Sequence, residues 1–321
     1  MSLFPTEHTV GLDIGGTNLR AGVVSEAGEI IDSRSMPTPR TVEELELGIA
    51  DLVTQLRREH PIQAVGLSVA GFLDPECEIV RFAPHLPWRG APVRRIITGL
   101  LDLPVRLEHD ANSAAWGEYR YGAARDVDNW VLLAIGTGIG ATLMNNGEIY
   151  RGAYGTAPEF GHLPVVPGGR PCSCGKRGCL ERYCSGTALV TSALEELASA
   201  KHPESELTRR LRAHPDSVNG EHVFAAAQQG EPVAVAAVES FIHWLGEALA
   251  IVADVLDPEL ILIGGGVSRD AEFFLNEATE RFAGRIVGAG YRPLPRVVSA
   301  ELGGDAGMIG VADLARSVAV A

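Results

Sequence analysis

The sequence predicts an α/β protein of two domains, and three observations lead there. Apolar strand patterns alternate with helical ones through the second half of the chain, the arrangement of helices packed on a mixed sheet. A strand, glycine turn and strand near the N-terminus are echoed in the middle of the chain. At 321 residues the chain exceeds what one hydrophobic core ordinarily serves.

Taken in order, "TVGLDIGGTNLRAGVVSEAGEIIDSR" reads as two or three strands with turns at Gly15-Gly16 and near Glu26 to Gly28. "TVEELELGIADLVTQLRREH" has helical periodicity, with Thr41 as N-cap and acidic residues in its first turn. "AVGLSVAG" suits a buried strand, "VRRIITGLLDL" a helix, "PVRLEHD" a strand and "ANSAAWGEYRYGAA" the helix that follows it. In "NWVLLAIGTGIGATLMNNGEIYRG" a second strand pair matches the opening: Ile135-Gly136 against Ile14-Gly15, and Gly147-Glu148-Ile149 against Gly28-Glu29-Ile30. Asp13 of the first copy becomes Ala134 in the second. An echo this short arises by chance or by duplication of a domain with one polar copy. "SGTALVTSALEELASA", "PVAVAAVESFIHWLGEALAIVADVL", "AEFFLNEATERFAG" and "AGMIGVADLARSVA" read as helices, "ELILIGGGVS" and "RVVSAEL" as strands.

Hydrophobic residues at 46% and charged ones at 21% are ordinary for a globular chain, so global disorder is not expected. "MSLFPTEHTVGLDIGG" lacks a basic flank before an apolar stretch, and no secretory signal is expected. The apolar "EALAIVADVL" carries Glu247 and Asp254 and reads as too short to span a bilayer. These points lead us to expect a cytoplasmic protein without a membrane partner. The net charge of −14 argues against a nucleic-acid partner, which needs Lys and Arg against phosphates. It leaves a nucleotide ligand open. The five cysteines are odd in number, and Cys172, Cys174, Cys179 and Cys184 cluster. That favours metal over a disulfide framework.

Three glycine turns follow apolar strands: "DIGGTN", "GTGIG" and "GGG". Glycine lets backbone N–H groups approach phosphate closely, but each turn taken alone is as readily an ordinary hairpin. The phosphate-loop pattern G-x-x-x-x-G-K-[ST] is absent, and Gly136 to Gly140 has the wrong spacing for a dinucleotide loop. In "LEHDANSAA", Asp110 sits between a strand end and a helix start. There it either accepts the proton of an attacking hydroxyl or caps the helix, a task Asn112 is also placed to perform.

"LDIGGTN", "EHDANSAAWGE", "GTGIG", "EFGH" and "CSCGKRGCLE" occur in the order and spacing of the ROK family of bacterial sugar kinases and sugar-responsive repressors. The resemblance runs from about Val10 to Ala315, and "RFAPHLPWRG" and "EYRYGAA" resemble stretches of its ATP-dependent glucokinases. It implies the actin-like ATPase (ribonuclease H-like) fold, two duplicated α/β domains with an interdomain cleft that closes on sugar. The domains would be residues 1–118, joined by the C-terminal helix 305–321, and residues 119–304 with a zinc-binding loop at 159–181.

The resemblance also implies roles. Asp13, Gly15, Gly16, Thr17 and Asn18 would form the first phosphate turn, with Asp13 near Mg²⁺. Thr137 and Gly138 would meet the ATP phosphates, and Gly264, Gly265 and Gly266 the adenosine. Asp110 would be the general base, and Gly71, His109, Asp110, Glu159, His162 and Glu181 would meet the sugar. His162, Cys172, Cys174 and Cys179 would hold a structural Zn²⁺, since three thiolates and an imidazole close a tetrahedral site. The alternative there is free buried thiols. The chain departs from the family pattern at His109, where Asn is usual, and at His85 in "FAPH". A neutral His still offers one donor and one acceptor to a hydroxyl.

The expected activity is transfer of the ATP γ-phosphate to the 6-hydroxyl of glucose by a homodimeric enzyme. The alternatives are fructose, mannose or an N-acetylhexosamine as acceptor, and polyphosphate as donor. A sugar-responsive repressor is disfavoured, because such repressors carry a DNA-binding domain ahead of the first glycine turn and Asp13 lies close to the start.

Overall fold

A computed structural model of the protein describes residues 8–199 and 202–319. Its first half runs β1 (His8–Ile14), β2 (Asn18–Val24), β3 (Ile30–Pro37), α1 (Val42–Arg57), β4 (Ile62–Val69), β5 (Phe72–Leu73), β6 (Val80–Phe82) and β7 (Arg89–Ala91). There follow α2 (Val93–Leu101), β8 (Val105–His109), α3 (Asp110–Tyr121), β9 (Trp130–Ile135), β10 (Ile139–Asn145) and β11 (Glu148–Tyr150). The remainder is α4 (Gly186–Ser199), α5 (Glu206–Ala213), α6 (Gly220–Gln228), α7 (Pro232–Leu256), β12 (Leu260–Gly264), α8 (Ala271–Ala283), β13 (Arg296–Ser299) and α9 (Ala306–Ala319). The chain divides into two compact units: Met1–Asp128 with Thr142–Pro158 and Gly304–Ala321, and Asn129–Ala141 with Glu159–Gly303.

Two five-stranded sheets have the orders β3-β2-β1-β4-β8 and β11-β10-β9-β12-β13. In each, the first strand pairs on one side with its successor and on the other with a parallel strand reached through helices. The two orders are the same, so the strand and glycine echo in the sequence belongs to duplicated sheets. A small sheet, β5-β6-β7, lies outside this scheme and carries no sequence periodicity that announces it.

The first unit's core is aliphatic. Val10, Leu12, Ile49, Leu52, Val65 and Leu67 are buried together between the first sheet and its helices. On the other face α9 approaches the strands so closely that only glycine fits. A Cβ on Gly11 would lie 2.0 Å from the Met308 carbonyl oxygen, and one on Gly66 would lie 2.1 Å from that of Val311. The same helix crosses α3 at Gly310, where a Cβ would stand 1.8 Å from the Ser113 carbonyl oxygen. Helix α3, which begins with Asp110, is thereby seated against a rigid neighbour.

The second unit is built around α7. Its 25 residues are long enough to cross a bilayer, which corrects the expectation that the apolar stretch is too short: the helical pattern continues back to Pro232. The helix nonetheless behaves as a core element. Phe241, Leu245, Leu249 and Val252 are buried, and it packs against α8, α4 and α6. Phe241 stacks edge-on to Phe224 and Phe274, with ring centroids 5.8 and 5.2 Å away.

Candidate active site

In the first unit the strand ends align three polar residues. Asp13 on β1 is in register with Ser68 on β4, and Ser68 with Glu108 on β8. The turn after β1 is closed by the Gly15 N–H donating to the Asn18 carbonyl at 3.1 Å, and the Thr38 hydroxyl donates to the Gly15 carbonyl at 2.6 Å. Thr17 and Asn18 are left exposed. Gly16 and Thr17 open onto a cavity of about 590 Å³, lined also by Arg40 and His85. Gly71 is buried where a Cβ would lie 2.9 Å from the Phe82 carbonyl oxygen.

Burial, the Asp110 charge and Asp305 push the Asp13 carboxyl up to about 6, with Arg20 opposing them. Two further acidic groups thus bear on Asp13 through their charge, against the single guanidinium of Arg20, which pairs with Asp305. Asp110 is half-exposed; its Oδ1 accepts the Ala111 N–H at 2.8 Å and lies 3.2 Å from His109 Nε2. The helix-start reading needs correction here. Asp110 is the first helical residue, and the N-cap, His109, makes no side-chain capping bond. Asn112 does not cap either: its Nδ2 donates to Glu108 Oε1 at 3.0 Å, and its Oδ1 accepts from the Thr142 hydroxyl at 3.0 Å.

In the second unit the two remaining glycine turns lie side by side at the ends of β9 and β12. Gly265 has a φ of +78°, and a Cβ there would lie 2.4 Å from the Ile135 carbonyl oxygen. Thr137, Gly136 and Gly266 line a pocket of about 340 Å³, whereas Gly264 and Gly265 pack behind it. Asn219, Glu221, Phe224 and Asp270 complete its walls. Sequence reasoning missed these four. The Asn219 side chain accepts the His222 N–H at 3.0 Å to open α6, and Asn followed by Gly was the signal that could have placed a helix start there. Gly138 faces away from this pocket, 2.6 Å from Glu181 Oε2 if given a Cβ.

The Cys segment folds on itself. The ligand atoms of His162, Cys172, Cys174 and Cys179 all lie within 4.8 Å of one another. Cys174 Sγ is 3.6 Å from Cys179 Sγ, and Cys172 Sγ is 3.6 Å from His162 Nδ1. Tetrahedral Zn²⁺ with bonds of about 2.3 Å to sulfur and about 2.0 Å to nitrogen demands edges of about 3.5–3.8 Å, so the cage fits. Burial and the Glu181 carboxylate, 3.1 Å from Cys172 Sγ, push that thiol up to about 12, a proton a cation would displace. His162 turns Nδ1 to the sulfurs and Nε2 toward Glu159, whose Oε2 is 4.0 Å away. Arg170 ties the loop to α4, donating to the Arg182 carbonyl at 2.6 Å and to the Ser192 hydroxyl at 3.1 Å. A second group, Asp32, Glu59 and His60, is also compact, but Arg34 already pairs with both carboxylates.

The sequence matches the ROK family over residues 9–318. It is 40% identical over 309 residues to a glucokinase of Streptomyces coelicolor, covering 96% of this chain and 97% of that one. A ROK family glucokinase from Streptomyces griseus, solved in complex with glucose and AMPPNP, superposes with a TM-score of 0.84 at 39% identity, covering 97% of this chain and 99% of that one. A ROK hexokinase from Thermus thermophilus gives 0.81 at 31% identity, covering 97% and 98%. The fold is the actin-like ATPase fold of these neighbours.

Proposed function

The chain belongs to the ROK family, and we propose that it is an ATP-dependent glucokinase. The observation that carries this reading is its likeness, over nearly the whole of both chains, to a glucokinase solved with glucose and AMPPNP. In the reaction the 6-hydroxyl oxygen of glucose attacks the γ-phosphorus of ATP. The bond from that phosphorus to the β–γ bridging oxygen breaks and ADP leaves. Phosphoryl transfer asks little covalent work of the protein, so positioning and charge stabilisation dominate.

Asp110 accepts the proton of the 6-hydroxyl. Its carboxylate stands at a strand–helix junction, half-exposed and not consumed by capping a longer turn, which supports that role. Gly71, His109, Glu159, His162 and Glu181 hold the remaining hydroxyls. The turn of Gly15, Gly16, Thr17 and Asn18 and the turn of Thr137 and Gly138 receive the phosphates through backbone N–H groups. Gly264 to Gly266 position the wall of the 340 Å³ pocket, which takes the adenosine. Asp13 would hold Mg²⁺, which when bound neutralises charge on the phosphate oxygens.

His162, Cys172, Cys174 and Cys179 would hold Zn²⁺ as a structural clasp. A closed four-ligand site has no place for a reactive water, so its chemistry is confined to fixing Glu159, His162 and Glu181. Five cysteines without a disulfide among them suit a reducing, cytoplasmic setting, and we extend the proposal to a homodimer there. A coupled assay with ATP across glucose, fructose, mannose and N-acetylglucosamine tests the substrate. Glucose is expected to give the highest kcat/KM; a higher value for another hexose would reassign the acceptor.

A further inference from the structure

Glu108 is a charged residue with no exposed surface, one position before His109 and two before Asp110. Burying a carboxylate is costly unless it is paired and hydrogen-bonded throughout. Here every approach to it is occupied, and its two oxygens face different ways. Oε1 accepts the His109 backbone N–H at 3.1 Å and the Asn112 side-chain amide at 3.0 Å. Both donors belong to the start of α3. Oε2 accepts from Arg106 at 3.0 Å and from Arg151, and the Cys77 thiol lies 3.9 Å from each oxygen. Burial pushes the carboxyl up, but Arg151, Arg106 and Asn112 outweigh it and hold it ionised.

The network extends beyond the carboxylate. Thr142 on β10 fixes the other end of the Asn112 amide at 3.0 Å, and Arg151 also donates to the Ile149 carbonyl at 3.3 Å. Segments remote in sequence thus converge on the His109 backbone N–H and the Asn112 side chain, which lie on either side of Asp110. Buried ion pairs contribute little net stability compared with apolar packing of the same volume, so this arrangement is poorly explained as a stabilising device. An error of about 1 Å in placing a reacting group can cost about 100-fold in rate, which is what such a junction would prevent.

We propose that Glu108, anchored by Arg151, is a positioning residue that aims Asp110 at the substrate hydroxyl. The proposal rests on the reading of Asp110 as general base. Replacing Glu108 by Gln keeps one acceptor for the helix start and withdraws the acceptor from the two guanidinium groups. The aim of Asp110 loosens while the nucleotide-side residues, which Glu108 does not touch, are left as they are.

Steady-state kinetics of Glu108→Gln, Asp110→Asn and their double variant test it. Glu108→Gln is expected to lower kcat about 10- to 100-fold with KM for ATP within about twofold of the parent. Because Glu108 acts through Asp110, the double variant should turn over within about twofold of Asp110→Asn alone. Glu108→Asp, which retains the charge, should recover part of the loss. Turnover of Glu108→Gln near that of the parent, or losses that multiply in the double variant, would overturn the positioning role. Normal turnover in Asp110→Asn would instead remove the base on which it rests, whatever Glu108→Gln does. Should Glu108→Gln not fold, Arg151→Lys keeps the cation but not the two-pronged reach. It is read by the same rule: kcat lowered about three- to tenfold at constant KM for ATP supports the role, and unchanged kcat overturns it.

Discussion

Asp13 carries a measurable signature of its surroundings. In the folded chain it keeps its proton up to about pH 6, against 3.8 for an ordinary aspartate. The folded state therefore binds more protons than the unfolded state between these values. Its stabilising contribution is complete below pH 3.8 and is lost as the pH rises through 6, a change of about 3 kcal/mol. In magnesium-free buffer without nucleotide, Asp13→Asn should be more stable than the parent at pH 7 by about that amount, with the difference closing toward pH 4. Urea denaturation across this range checks it, and a pH-independent difference would count against the environment described. The sequence singled out Asp110 by its place between a strand end and a helix start, and Asp13 through the resemblance to the ROK family. It gave no hint of Glu108, whose partner Arg151 meets it only in the folded chain, as Thr142 meets its other partner, Asn112.

At the scale of elements, the C-terminal helix α9 supports α3, the helix that begins with Asp110. It lies on glycine faces of β1 and β4 and crosses α3 at Gly310. Gly310→Ala would place a methyl 1.8 Å from the Ser113 carbonyl oxygen, so α3 and α9 must separate. We expect a loss of about 3 kcal/mol in stability, read as a fall of several degrees in Tm, with kcat falling as α3 shifts. Strands β1, β2, β4, β8, β9 and β12 and the long helices were legible because their periodicity is sustained. β5, β6 and β7 were not: strands of two or three residues have no period to read. Helices α5 and α6 were missed because caps announce them, and with α6 went the pocket residues Asn219, Glu221 and Phe224.

For the molecule as a whole, the Cys loop is the part that the proposed Zn²⁺ would hold in order. Its backbone is rich in Gly and Pro, and the cage joins its two ends at His162 and Cys179. Metal analysis is expected to find one Zn²⁺ per chain. Cys174→Ser, at the exposed ligand, should lose the metal and raise KM for glucose by about tenfold or more, while a fully active, zinc-free protein would contradict the clasp. The duplication was legible only as a short echo; the shared sheet order makes it an architectural fact. In the proposed reaction a single aspartate, Asp110, draws the proton from the sugar alcohol. Turnover of Asp110→Asn, measured beside calorimetric glucose binding, tests it most directly. Binding is expected within a few-fold of the parent and turnover lower by about 100-fold or more. Near-parental turnover would contradict it.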